Sequence, residues 1–340
     1  GARLKQEIKI VEVTMKILVT GAAGYIGSVV TDQLIEQGHQ VLALDNLKHG
    51  HRAAVHPAAA FTQLELLDAD ALTMFLRANP VNAVVHLAAE ALVDVSMRDP
   101  GLFYRVNVVG GLNLLDAMVA ANVKRIVFSS TAAVYGEPVS LPITEDSRQM
   151  PVNPYGESKR AFERILERFQ MAHGINFVAL RYFNACGATE RCGEFHVPET
   201  HILPILFEVV LGQRQQFNLY GADYDTPDGT CIRDYIHVWD IANAHVLALA
   251  QLDRLQARVF NMGNGAGYSN QQVIEAVQRV TGKEIPYIHA PRRPGDPARL
   301  VASSERIRSE LGWTPRYPEL TTMVETAWQW RQKHPKGYAG

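Results

Sequence analysis

The sequence predicts an α/β fold, a doubly wound parallel sheet with helices on both faces, joined to a smaller mixed α/β lobe. Three observations predict it. Short apolar runs recur between helical patterns through the first 185 residues or so. The runs are continuous rather than alternating, which is the mark of strands buried on both faces of a parallel sheet. Glycines cluster where the first run passes into the first helix, the place where such sheets make their tightest turn.

The elements follow in order. Met15-Lys16-Ile17-Leu18-Val19-Thr20 is the first strand, followed by glycines and a helix through Leu34. Val41-Leu42-Ala43-Leu44 is the second strand, and Phe61 to Leu66 the third. Ala83 to Leu87, Arg125 to Phe128 and Phe177 to Arg181 continue the series, separated by helical patterns that include Tyr104 to Ala121 and Tyr155 to His173. Beyond about residue 182 the texture shifts to stretches punctuated by Pro and Gly, and sheet-like sequence returns at Val259-Phe260-Asn261-Met262. The expected division is therefore residues 15–185 plus about 234–262 in the sheet domain, and about 186–233 plus 263–330 in the lobe. Residues 1–14 precede the first strand as an upstream extension or expression remnant and stand outside the fold argument.

Composition narrows the function classes. The chain has 340 residues, 47% apolar and 20% charged, with a net charge of −2. No long run of one sign occurs, so neither nucleic acid nor a membrane surface is expected as a partner. Three cysteines, Cys186, Cys192 and Cys231, are odd in number and lack CxxC spacing. They are read as reduced, the compartment as cytoplasmic, and no metal site is expected. No signal peptide is visible, and no apolar stretch approaches the ~18 residues of a membrane span.

Gly21-Ala22-Ala23-Gly24-Tyr25-Ile26-Gly27 occupies the first strand–helix crossover. Glycines there allow a tight turn and let a pyrophosphate approach the backbone, where helix N–H groups favour anions. Asp45 ends the second strand eighteen residues after Gly27, close to the usual ~20. A carboxylate at that point accepts both ribose hydroxyls and repels a 2′-phosphate, so a dinucleotide without that phosphate, NAD, is favoured over NADP. Lys48, His49 and Arg52 are the neighbours able to reverse this preference.

Asn153-Pro154-Tyr155-Gly156-Glu157-Ser158-Lys159 supplies the second motif. Pro154 suits the first turn of a helix, and Ala161, Phe162, Ile165, Leu166 and Phe169 continue at helical spacing. Tyr155 and Lys159 are then i and i+4 on one face. Such a pair also arises by chance on solvated helices, so its company decides.

GxxGxxG followed by YxxxK well over a hundred residues later resembles the extended short-chain dehydrogenase/reductase superfamily, which carries a Rossmann-type sheet. His86-Leu87-Ala88-Ala89, the run Phe128 to Gly136 and NPYGESK occur in the superfamily's order. Leu180 to Asn184, Pro198-Glu199-Thr200-His201, the run Asp228 to Val238, and Arg292 to Pro297 are similar to its UDP-sugar 4-epimerases from Met15 to about Trp330. The resemblance implies NAD as bound cofactor, UDP-galactose and UDP-glucose as substrates, and a homodimer through the helices at 104–121 and 155–173.

It also implies residue roles. Tyr155, Lys159 and Thr131 are the expected catalytic set. An ordinary tyrosine titrates near pKa ~10; Lys159 and the positive nicotinamide ring would favour its phenolate, ready to take the proton from the sugar 4-hydroxyl as hydride leaves C4. Thr131 would hydrogen-bond the reacting oxygen, or else simply cap local backbone. Expected cofactor contacts are Gly21, Gly24, Tyr25, Ile26, Gly27, Asp45, Asn46, Leu47, Glu65, Leu66, Leu87, Ala88, Ala89, Asn107, Ser129, Tyr155, Lys159, Tyr182 and Phe183. Asn107 opens a helix in this reading, and plain capping competes with a role near Lys159. Expected substrate contacts, besides Thr131 and Tyr155, are Asn184 and His201 near the phosphates, Arg233 and Arg293 on the phosphates, and Asp296 on the uridine ribose. Tyr220, with Asn218 and Leu219, lies toward uracil.

The chain departs from the resemblance in places. Glu65 stands where an Asp is usual, His201 where some members carry Asn, and Ala91 where some carry Lys. Leu300 falls near a position where side-chain bulk decides whether N-acetylated sugars enter. Epimerases of UDP-N-acetylglucosamine, UDP-xylose or UDP-glucuronate share most of these motifs and stay open as alternatives. A dehydratase would need acid and base after Thr131, where Ala132-Ala133 stand. A non-catalytic NAD sensor would have no use for Tyr155 and Lys159.

Overall fold

The computed structural model describes residues 14–256, 258–293 and 296–338. Residues 1–13, most of the stretch read as an extension, lie outside the described residues.

Among those residues the strands are β1 (Lys16–Thr20), β2 (Gln40–Asp45), β3 (Ala60–Gln63), β4 (Ala83–His86), β5 (Arg125–Thr131), β6 (Asn176–Tyr182), β7 (Asn184–Cys186), β8 (Phe217–Tyr220), β9 (Ile232–Arg233), β10 (Tyr235–His237), β11 (Val259–Met262), β12 (Tyr268–Ser269), β13 (Tyr287–Ala290) and β14 (Arg299–Leu300). The helices are α1 (Tyr25–Glu36), α2 (Ala69–Ala78), α3 (Val93–Arg98), α4 (Pro100–Phe103), α5 (Gly110–Ala120), α6 (Pro154–His173), α7 (Ile202–Val210), α8 (Val238–Gln251), α9 (Asn270–Thr281), α10 (Glu305–Leu311) and α11 (Leu320–Lys333).

Seven strands form one sheet in the order β11-β6-β5-β4-β1-β2-β3, and every neighbouring pair is parallel. Burial on both faces explains the continuous apolar strands: Ile17, Leu18 and Val19 have no exposed surface, nor do Ala83, Val84 and Val85. One face packs under α1 and α8, where Val29, Val30, Ile241 and Leu249 join Val19 and Val85. The other packs under α2, α5 and α6, where Leu72, Leu114, Phe162 and Leu166 meet Leu18, Val84 and Phe128. The strand order reverses between β1 and β4, and in sheets of this kind ligands bind in the crevice beyond the carboxyl ends of the strands at that point. A separate apolar cluster joins Leu206, Phe207 and Leu219 to Val273, Val277 and Met323, on α7, β8, α9 and α11.

Two elements differ from their sequence expectation. The third strand stops at Gln63 rather than Leu66, because Glu65 accepts the Leu67 N–H at 3.3 Å and Asp68 caps α2 by accepting from Ala71 N–H at 3.0 Å. Residues 104–109 form π-type turns between α4 and α5 instead of the start of one regular helix. Asn107 is therefore not a helix opener. It lies within those turns, where its side chain has other partners.

Candidate active site

The glycine loop shows why its residue types are required. Gly21 has φ of +72°, and a Cβ there would stand 2.6 Å from the Ala88 backbone nitrogen. A Cβ on Gly27 would stand 2.0 Å from the Gly21 carbonyl oxygen. Only hydrogen fits at either point, and the loop closes tightly over β1 onto the segment after β4. Gly24 is the N-cap of α1, which carries neither a side-chain cap nor an acidic residue in its first turn. The N–H groups of Tyr25 and Ile26 thus open a helix whose positive end no side chain has claimed. The Tyr25 hydroxyl donates to the Gly187 carbonyl at 2.5 Å, linking the loop to the chain after β7.

Asp45 ends β2, accepting from Ala23 N–H at 3.0 Å and Leu47 N–H at 2.8 Å. Burial nonetheless outweighs these bonds and raises its pKa. Leu47 follows with a φ of +61°, and Asn46 donates to Glu65 at 2.7 Å, so these three residues and buried Leu66 frame one wall. The cations able to receive a 2′-phosphate are engaged elsewhere: Lys48 and His49 meet Glu90 at 2.5 and 3.0 Å, and the Arg52 guanidinium lies 4.5 Å from the Phe61 ring centre. Burial would raise the Glu90 pKa, but hydrogen bonds from His49 and Lys48 lower it.

Leu87 and Ala88 N–H groups reach Thr20 at 3.1 and 3.4 Å, setting Leu87, Ala88 and Ala89 across from the glycine loop. Asn107 is 3% exposed and holds this segment: its Oδ1 accepts the Glu90 N–H at 2.9 Å, and its Nδ2 donates to the Glu90 carbonyl at 3.0 Å and to Ser158 Oγ at 2.9 Å. It ties the loop after β4 to α6 beside Lys159.

On α6, Asn153 caps by accepting Gly156 N–H at 2.8 Å, and Pro154 sits in the first turn. Tyr155 stands beside Thr131 at the end of β5, close enough for the threonine hydroxyl to lower its pKa. The same Thr131 hydroxyl accepts the Ala133 N–H at 3.1 Å, so backbone capping and the contact to Tyr155 coexist. Lys159 is 3% exposed; its Nζ donates to the Ser129 carbonyl at 2.8 Å and lies 4.8 Å from the centre of the Phe128 ring.

In the protein's own framework burial raises the Tyr155 pKa, and the neighbouring Thr131 hydroxyl opposes that rise. The Lys159 ammonium faces the Ser129 carbonyl, and burial lowers its pKa to about 7 against the opposing charge of Glu163. The cause is desolvation, which disfavours both charged forms.

Beside this pair, the Tyr182 hydroxyl lies 2.7 Å from His245 Nε2, and burial raises the Tyr182 pKa. Phe183 packs with Ala132, Val134 and Tyr135, and Leu300 lies against the same cluster.

The candidate substrate residues come from β7 to β14. Asn184 is half-buried in β7, its N–H on the Asp234 carbonyl at 2.9 Å. Arg233 is buried and pairs with Asp296, and Arg293 lies 4.2 Å from the centre of the Tyr220 ring. The four are thus brought together in two pairs rather than standing free. Asn218 is exposed, whereas the Leu219 side chain is wholly buried in the lobe core, so only its backbone is left for a ligand. His201 stands at the N-cap position of α7 without a side-chain cap bond, and its Nδ1 lies 2.8 Å from Glu194; desolvation opposes its charge, but Glu194 and Glu199 raise its pKa.

Sequence reasoning missed two groups. Arg181, Glu163, Tyr135 and Ser130 form a buried polar network behind Lys159; nothing local in sequence pairs β6 with α6. Glu194, His196 and Glu199 converge on His201, the one member assigned a role from sequence, between β7 and α7, and here ExHxxExH was a visible signal.

The sequence pattern of the NAD dependent epimerase/dehydratase family matches residues 17–263. The chain is 50% identical over 328 residues to a UDP-glucose 4-epimerase of Halalkalibacterium halodurans, covering 96% of this chain and 98% of that protein. A crystal structure of a UDP-glucose 4-epimerase superposes with a TM-score of 0.93 at 46% identity, covering 96% of this chain and all of that one. The Bifidobacterium longum UDP-glucose 4-epimerase in complex with NAD+ and UDP superposes with a TM-score of 0.91 at 36% identity, over 95% of this chain and 100% of that one. A family pattern spanning residues 17–263 and a relative 50% identical along nearly the whole chain agree with the glycine loop and the sheet order, and the chain belongs to the NAD dependent epimerase/dehydratase family.

Proposed function

We infer that this protein interconverts UDP-galactose and UDP-glucose with NAD as its cofactor. Similarity to UDP-glucose 4-epimerases along 96% of the chain carries this reading. The residues fit NAD: the loop that only glycines can form, the uncapped start of α1, and Asp45 with its cationic neighbours engaged by Glu90 and Phe61. NAD, when bound, accepts and returns a hydride at the sugar's C4 and adds a positive ring charge to the pocket.

The chain's own residues do the rest. Tyr155 takes the proton of the 4-hydroxyl and gives it back, with the neighbouring Thr131 hydroxyl relaying the proton between phenol and sugar oxygen. Lys159 and Ser129 hold the floor of the site. Asn107 keeps the cofactor-side loop against α6. Inversion needs the 4-keto sugar to present its second face, so the nucleotide is gripped and the sugar held loosely. Arg233, exchanging Asp296 for phosphate, and Arg293 provide the grip, with Asn184 and His201 nearby and Tyr220 on uracil. Asp296, once released, accepts the ribose hydroxyls.

We assign cofactor binding to residues 15–185 with 234–262, which hold the seven-stranded sheet, and substrate binding to 186–233 with 263–330. A cytoplasmic homodimer completes the reading. Met97, Tyr104 and Val109 are exposed on or beside the helices expected at its interface, and light scattering at one-protomer mass would remove it. The three cysteines are free and buried, as a reducing compartment allows. Among the described residues no helix is long and apolar enough to cross a membrane.

The test is to mix purified protein with UDP-galactose, adding no cofactor, and follow UDP-glucose. Tyr155→Phe is expected to lower turnover by roughly 10²–10⁴-fold while UDP and NAD still bind. Full turnover in that variant overturns the assignment of the base. No conversion by the native protein, even with NAD supplied, overturns the activity.

A further inference from the structure

We propose that Glu194, His196, Glu199 and His201 form a structural site for a divalent transition-metal ion, zinc by preference. Eight consecutive residues, Glu194-Phe195-His196-Val197-Pro198-Glu199-Thr200-His201, fold back so that one ligand atom from each of the four lies within 4.8 Å of the others. The imidazole-to-carboxylate separations are 2.8 and 3.3 Å from His201 Nδ1 to Glu194 and Glu199, and 3.6 and 3.7 Å from His196 Nδ1 to the same two residues. A tetrahedral zinc ion with bonds of about 2.0–2.1 Å sets its ligands about 3.3–3.4 Å apart, inside that range. Four imidazole-to-carboxylate separations thus bracket the spacing that a tetrahedral ion requires, with Glu199 approached through a different oxygen by each histidine.

A second, independent observation points to the missing ion. His196 Nδ1 is a buried atom with no hydrogen-bond partner; it points between two carboxylates at distances too long for a hydrogen bond. Buried polar atoms are rarely left unpaired, and a cation at the centre satisfies this nitrogen and both carboxylates at once. The carboxylates cannot solve the problem by facing water, since the side chains of Glu194 and Glu199 are 9% and 4% exposed.

The surroundings are those of an oriented ligand set. Glu199 Oε1 accepts the N–H groups of Thr200 and His201 at 2.8 and 2.9 Å, and Oε2 accepts that of His196 at 3.3 Å. Such outer hydrogen bonds fix the carboxylate before metal arrives. Two nitrogens and two oxygens suit zinc better than the oxygen-seeking magnesium or calcium. Four protein ligands leave no open position, so the site is structural rather than catalytic. It staples the segment between β7 and α7, where His51 Nε2 and the Phe195 carbonyl are 3.1 Å apart and the Arg331 guanidinium lies 5.2 Å from the centre of the Phe195 ring. Coordination through Nδ1 leaves Nε2 of His201 protonated, so the site does not depend on, or exclude, a phosphate contact by that residue.

The test uses the full chain, free of any affinity tag, with its bound NAD. Zinc is added, excess is removed by gel filtration, and metal is counted by mass spectrometry. About one ion per chain is expected, with a rise in unfolding temperature that a chelator reverses. Glu194→Gln and His196→Asn should each lower retained zinc at least tenfold and abolish the zinc-dependent rise. Cobalt added to metal-free protein should give the intense visible absorption of a tetrahedral centre. Two variants guard against a single folding failure, and far-ultraviolet dichroism confirms that each is folded. Retention of less than a tenth of an ion by the native chain, or equal retention by native and variant chains, overturns the proposal and leaves the four residues as a metal-free ion-pair cluster.

Discussion

The buried pair behind Lys159 offers the sharpest perturbation. Glu163 grips Arg181 with two bonds, Nε to Oε1 at 2.9 Å and Nη2 to Oε2 at 2.6 Å, and also accepts Ser130 Oγ at 2.5 Å. Arg181 is 2% exposed and Glu163 4%. Glu163→Gln keeps the shape but strands the guanidinium, because the Tyr135 hydroxyl, 2.7 Å away, carries no compensating charge. Breaking a buried pair from one side costs about 3–5 kcal/mol. An unfolding entropy near 2.1 cal/mol/K per residue gives about 0.7 kcal/mol/K for a chain of 340 residues. The melting temperature should therefore fall by about 4–7 °C, measured by calorimetry with NAD at saturation. The double variant Glu163→Leu/Arg181→Leu should lose less than Glu163→Leu alone, since no charge is then orphaned. Glu163 is also the charge opposing burial at Lys159, so Glu163→Gln should move the lysine's titration below about 7 and shift the pH profile of turnover toward acid. A fall under 2 °C, together with a double variant less stable than the single, would refute the reasoning.

Other expectations are separable from this one. Gly27→Ala drives a methyl group into the Gly21 carbonyl and should yield protein that releases no NAD when denatured; normal NAD content would show that the loop can yield. Tyr25→Phe removes the 2.5 Å bond to Gly187 and should cost about 1 kcal/mol in urea unfolding, with no change meaning that the loop is anchored elsewhere. His86, His237 and His245 are held neutral by burial, with pKa values lowered to about 3, 4 and 4. The unfolded chain, titrating near ~6.5, takes up protons first, so the contribution of these three histidines to stability should decline as pH falls from about 6.5 through 4 and be constant above. In His237→Ser, where serine can still cap α8, the acid slope should be shallower; an unchanged slope would remove His237 from the account.

Much of the architecture was legible before any coordinates. Continuous apolar strands report burial on both faces, and the strand–glycine–helix crossover reports where the chain turns. The spacing from Tyr155 to Lys159 puts both on one face of α6, whose capping Asn153 and first-turn Pro154 are local signals. The third strand was read three residues too long because Leu64, Leu66 and Leu67 suggest a strand, while Glu65 and Asp68 side chains bend the backbone into α2. Asn107 was misread for a related reason. Its neighbours look like a helix start, but its partners, Glu90 and Ser158, lie 17 and 51 residues away.

Sequence by itself settled the sheet and the glycine loop, because periodicity and turn conformations are properties of short stretches of chain; the chemistry it reached through the order of motifs that resemble the superfamily. Tertiary structure alone decided which way the polar groups act. It turned the Lys159 ammonium to the Ser129 carbonyl, matched Arg233 with Asp296 and Arg181 with Glu163, and drew two glutamates and a second histidine around the buried Nδ1 of His196. Those outcomes depend on burial and on partners distant in sequence or brought back by a folded loop. Desolvation and pairing set the sign of a charge's effect, and neither is written in local spacing.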